Sequence, residues 1–201
     1  MRLTPRNRIF LLASGLAAAY QVAVGINGLE EVPIIAYTIA FGVLLVAMLL
    51  IIILGIEILD SPVVVIVSTI IPLSLSLGLV WEHIEEWRTA YLIFVIVGFL
   101  AVIMTRVMVV PGKLPVLVLA VVHGVAGMVI FLLPSILAAQ GITRLGFALV
   151  GLGGSLIGLG GVLLTFLKTS SPIVSRETIL SILPALLMLM SIVFVLGFAL
   201  A

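Results

Sequence analysis

Cysteine is absent from this 201-residue chain. That removes disulfides, thiolate metal sites and thiol chemistry, and it leaves the redox compartment open. Charge is nearly absent too: 8% of residues are Asp, Glu, Lys or Arg, against 64% hydrophobic. A soluble domain carries about 25% charged residues, so this chain cannot cover a surface that faces water. The net charge of +1 gives no footing for nucleic acid. Walker lysine, His-Glu-x-x-His and Gly-x-Ser-x-Gly motifs are missing, no cofactor is expected, and a non-enzymatic role is favoured.

What is present is apolar sequence in long runs, with mean hydropathy +1.54. Seven runs follow one another at about 9–26, 34–59, 63–81, 89–110, 114–139, 145–167 and 179–200. Each is long enough for a transmembrane helix, and none alternates as a barrel strand would. The expected fold is all-α: one membrane domain over 1–201, a polytopic bundle of seven spans in a cell membrane. Arg2, Arg6 and Arg8 before the first run fit a cleaved signal peptide or a retained signal anchor, and the anchor is the reading adopted.

Lys and Arg set the expected orientation. A cytoplasmic N-terminus puts Arg2, Arg6, Arg8, Arg106, Lys113, Lys168 and Arg176 inside, and only Arg88 and Arg144 outside. An odd number of spans then leaves the C-terminus outside. Pro72, Pro134 and Pro184 fall inside apolar runs, where kinks are expected.

Two pieces of the chain look alike. Ser61-Pro62-Val63-Val64 pairs with Ser171-Pro172-Ile173-Val174, Ile70-Ile71-Pro72 with Ile182-Leu183-Pro184, and Gln21/Gly25 with His123/Gly127. Chance similarity of low-variety sequence is the explanation favoured; the alternative is a parallel 3+1+3 repeat with helix 4 as joiner. The plan resembles that of small sugar carriers with three, one and three helices, in architecture alone. Their prolines are expected in the first helix of each half and their orientation is opposite, so no membership follows.

His123 stands near the middle of the fifth run, where an ionisable side chain is a functional hypothesis by default. With Gln21 it forms the expected transport pathway; the bland alternative is a neutral ring bonded to a neighbouring helix, with Gly124 and Gly127 allowing close approach. Glu57 and Arg106 are an expected inner gate or salt bridge, unless Arg106 snorkels and Glu57 reaches water. Glu82, His83, Glu85 and Glu86 make an acidic outer loop between Trp81 and Trp87, read as an interface anchor rather than a metal site. Gly151, Gly154, Ser155 and Gly158 supply small-residue packing in the sixth run.

The leading expectation is a small-solute or ion carrier or channel with a midplane site at His123 and Gln21. The alternative is a non-catalytic subunit of a larger membrane complex, such as a respiratory one. The partners expected are the lipid bilayer and either further copies of the chain or other subunits.

Overall fold

The computed structural model describes residues 3–26, 28–108, 112–166 and 175–201. Among these every regular element is helical. The Thr4 side chain accepts from the Asn7 N–H at 3.2 Å, and Pro5 opens α1 (Pro5–Val24) where its missing N–H costs nothing. Gly25, at φ 68°, ends it. Then come α2 (Glu31–Leu54), α3 (Pro62–His83), α4 (Arg88–Val107), α5 (Leu114–Ala139), α6 (Ala148–Phe166) and α7 (Arg176–Ala199).

Several boundaries depart from the expected runs, and three have a clear local cause. The first helix begins at Pro5 because the Thr4 cap and Pro5 start it ahead of the apolar run. The second stops at Leu54, since Gly55 takes φ 89°, and Ile56–Asp60 forms a separate 3₁₀ turn that carries Glu57. The sixth opens with a 3₁₀ turn, Leu145–Phe147. Ser171-Pro172-Ile173-Val174, Lys168 and Arg2 lie outside the described residues.

Six helices are long and apolar enough to cross a membrane, and α6 contributes a shorter apolar helix. Their outward faces are aliphatic, with Ile53, Leu54, Val107, Val116 and Leu117 exposed. Such a surface suits lipid rather than water, as in a multi-pass membrane protein.

Around the bundle the neighbours run α1, α2, α3, α5, α6, α7 and back to α1. α4 lies outside this ring, against α3 and α5. The main core includes Leu11, Phe41, Leu75, Leu79, Ile130 and Phe194 from all six ring helices except α6, which adds Val150. A second cluster of Leu73, Val102, Val122 and Ala126 fastens α4 to α3 and α5. At the end where α2 begins and α7 finishes, rings fill the interior. Tyr37 and Phe198 have centroids 4.7 Å apart, Phe41 and Phe198 5.9 Å, and Phe147 and Phe198 6.3 Å.

Lipid tails are as apolar as leucine, so fit rather than water exclusion holds such helices together. α6 shows this. A Cβ at Gly154 would sit 2.9 Å from the Phe131 nitrogen of α5, and one at Gly153 would strike the Phe194 ring of α7 at 2.7 Å. Nothing lies within 4 Å of a Cβ at Gly158. Gly154→Leu is therefore expected to lose about 1–3 kcal/mol of stability by overpacking. Gly158→Leu should leave the thermal midpoint of the isolated chain in detergent within error of the parent. Equal losses in both variants would refute this packing.

Candidate functional site

α1 turns a stripe inward at residues 7, 11, 14, 18 and 21, alternating four and three residues apart. That spacing keeps one face against its neighbours α2 and α7 over the whole helix. Three members are polar and seven residues apart: Asn7, Ser14 and Gln21, with 2%, 0% and 6% of their surface exposed. The stripe thus carries polar groups near both ends and at the middle of the bundle.

Its members are satisfied unequally. Ser14 and Ser191 place their hydroxyl oxygens 2.6 Å apart, and Ser191 Oγ lies 2.9 Å from the Leu187 carbonyl. Ser14 Oγ also lies 3.2 Å from the Leu187 carbonyl, so one hydroxyl donates to that carbonyl and the other to its partner, a short chain of bonds between α1 and α7. Gln21 Nε2 donates to the Gly25 carbonyl at 3.0 Å, closing the end of its own helix. Beside it is a cavity of about 10 Å³ bounded by Tyr37, Thr38 and Phe41, room for roughly one water. The Asn7 Oδ1 is buried without a partner.

His123 is the tenth residue of α5, about 14 Å from its start. It lies at the edge of the face made by Val122, Ala126 and Ile130, half-buried rather than on the bundle axis. Its Nδ1 is buried without a hydrogen bond; the Leu119 carbonyl one turn back is near but outside bonding geometry. Gly124 and Gly127 have nothing within 4 Å of a Cβ. α5 packs on α3, α4 and α6, and α1 on α2 and α7, which places the helices of His123 and Gln21 on opposite sides of the ring.

Glu57 lines a wider cleft of about 340 Å³ with Leu3, Arg8 and Ile52–Gly55. Arg106 stands near the end of α4, half-buried, with its Nε buried and without a hydrogen-bond partner. No family model, curated protein or solved structure matches the chain.

The acidic loop is drawn into a clamp. Glu30, just before α2, accepts from Trp81 Nε1 at 3.0 Å and from Arg88 at 3.0 Å. Arg88 Nε also donates to the Trp81 carbonyl at 2.6 Å, and its guanidinium lies 5.6 Å from the centre of the Trp81 ring. His83 meets the edge of Phe147 at 5.3 Å. Among the described residues no three His, Asp or Glu side chains cluster as metal ligands.

Sequence reading overlooked the α1 stripe and Ser191, though the interval from Asn7 to Ser14 to Gln21 was there to be noticed. Nothing local marks Ser191 as its partner across 177 residues. The seam yields a direct test. Ser14→Ala and Ser191→Ala should each destabilise the detergent-solubilised chain, and a double-mutant cycle should give a coupling of about 0.6 kcal/mol, up to 1.7. Strictly additive losses would mean that the two hydroxyls do not bond.

Proposed function

We propose that this chain is a seven-span protein of the cell membrane, N-terminus in the cytoplasm and C-terminus outside, serving as a non-catalytic subunit of a larger membrane assembly. One observation carries the functional part: the middle of the ring is filled. Leu11, Phe41, Leu75, Leu79 and Phe194 are all buried in one core, and rings crowd the interior at one end. A carrier holds its substrate near the midplane between repeats, where this chain packs buried apolar side chains. Gly124, Gly127 and Gly158, each facing open space, suit the close approach of helices from outside the chain.

The seventh span is α6, whose 19 residues reach about 28 Å, against a hydrocarbon core of about 30 Å. The 3+1+3 repeat gains support from the ring order. α1–α2–α3 and α5–α6–α7 follow one another as equal arcs, each third helix meets the other arc's first, and α4 stands aside as the joiner. Pro72 and Pro184 both lie buried inside the third helices.

A second reading, a carrier for a small ion or solute, is favoured by the polar stripe of α1, which places Asn7, Ser14 and Gln21 along the depth of the bundle. Reconstitution separates the two. A subunit should leave mild detergent in an assembly heavier than one 21.2 kDa chain and containing another polypeptide. Liposomes holding the chain alone should pass ions no faster than empty ones. A monodisperse single chain whose solute flux is lost in Gln21→Ala and His123→Ala would overturn the subunit reading in favour of the carrier.

Orientation is tested separately, and the absence of cysteine makes the test clean. Ala201→Cys should react with an impermeant maleimide on intact cells, and Lys113→Cys only after lysis. The reverse pattern would invert the topology.

A further inference from the structure

α1 and α2 pack as antiparallel neighbours, so α1 begins and α2 ends on the same side of the bundle. Between those two ends lies the cleft of about 340 Å³, at the lower end of the range for small-ligand pockets, about 300–1,000 Å³. Leu3 and Arg8, from the start of α1, make one wall. The other comes from the end of α2 and the turn after it: Ile52, Ile53, Leu54, Gly55 and Glu57.

Both walls are held in place. The Arg8 N–H bonds the Thr4 carbonyl at 3.0 Å, and the Arg8 side chain leans back toward the start of the helix, as helical side chains do. Opposite it, Gly55 turns the chain at φ 89°, and its N–H bonds the Ile51 carbonyl at 2.9 Å. Ile56 then enters the core, and Ile58 and Leu59 pack against that core. These residues pin the turn, and Glu57, between Ile56 and Ile58, is exposed.

The charges stand at two opposite poles. Arg8 supplies a cation beside the start of α1, the positive end of that helix dipole. Glu57 supplies a carboxylate beside the end of α2, the negative end of its dipole, where last-turn carbonyls lack intrahelical partners. Aliphatic side chains adjoin both, with Ile53 and Leu54 exposed by 74% and 61%. A ligand that matches all three features carries an anion and a cation in one small group, with hydrocarbon attached. At the level of helix ends, a bilayer offers that combination in its zwitterionic headgroups.

We propose that this cleft binds a phospholipid with a primary-amine headgroup, a phosphatidylethanolamine. Arg8 pairs with the phosphate oxygens through its planar fork. The ammonium donates to Glu57 and to the last carbonyls of α2. A carboxylate has about four lone-pair positions, so it receives such a donor alongside any other. The acyl chains run down over Ile53 and Leu54. A choline headgroup has the same phosphate and the same charges but no N–H donor, and that difference separates the two lipids at Glu57. The site is the same whether the chain works as a subunit or a carrier.

The test is native mass spectrometry of the delipidated chain, titrated with phosphatidylethanolamine, phosphatidylcholine or phosphatidylglycerol of matched acyl chains. Phosphatidylethanolamine should bind about tenfold more tightly than phosphatidylcholine, the effect of one hydrogen bond to a charged group. It should also bind more tightly than phosphatidylglycerol, which brings no cation to Glu57. The two walls should fail differently. Arg8→Gln should weaken phosphatidylethanolamine and phosphatidylcholine by a similar factor and keep their ratio, whereas Glu57→Gln should remove most of that ratio. Both side chains are exposed, so both variants should keep the parent's circular dichroism; if one does not, the lipid ranking of the parent still decides. Three results would overturn the proposal: equal binding of phosphatidylethanolamine and phosphatidylcholine to the parent, an unchanged ratio in folded Glu57→Gln, or displacement of the lipid by free phosphoethanolamine at millimolar concentration.

Discussion

Closure of the ring depends on the seam between the first and last helices. α1 and α7 are the two ends of the chain, and no loop holds them together. Their contact must come from fit and bonding alone, in surroundings where apolar area gives no net pull. Ser14 and Ser191 meet there, both fully buried, with Leu187 accepting the last hydrogen. Every other neighbour pair in the ring except α3 and α5 is consecutive in the chain. The α1–α7 and α3–α5 contacts are thus the two steps that a hairpin-by-hairpin assembly would not deliver.

The charged residues act at the ends and leave the middle alone. Glu30 gathers Trp81 and Arg88, which ties the start of α2 to the end of α3 and the start of α4. An exposed ion pair is by itself worth about 0–1 kcal/mol. Here Arg88 also bonds a carbonyl and covers an aromatic face, so one side chain holds three segments in register. Trp87 stays exposed, placed as an interfacial anchor would be, whereas Trp81 is turned toward the clamp. A single acidic loop therefore divides into a structural half and a membrane-facing half.

Fold class was legible because composition leaves a chain this apolar few options, and helix limits followed from Gly and Pro. The end of the second helix was not placed, since Gly55 sits within an unbroken apolar run and only its positive φ reveals the stop. The helices' neighbours were harder still. Apolar periodicity in a membrane helix does not distinguish a face turned to lipid from one turned to protein, so His123 could not be assigned to flank or axis. Gly154 and Gly158 look alike in sequence, yet one touches α5 and the other faces open space. A four-residue interval records that an approach is allowed, not that a partner makes it.

Buried polar groups are satisfied unevenly around the ring. Several polar side chains of ring helices reach a partner or the helix's own backbone: Ser14 and Ser191 across the seam, Gln21 onto Gly25, Ser76 onto Pro72, whereas Asn7 Oδ1 on α1 is buried without one. Arg106 Nε and His123 Nδ1, also buried without partners, fall on α4, outside the ring, and on α5 beside it. A helix with ring neighbours on both flanks brings donors and acceptors from two directions. α4 has only α3 and α5 on one side of it, and lipid hydrocarbon on the other offers no acceptor.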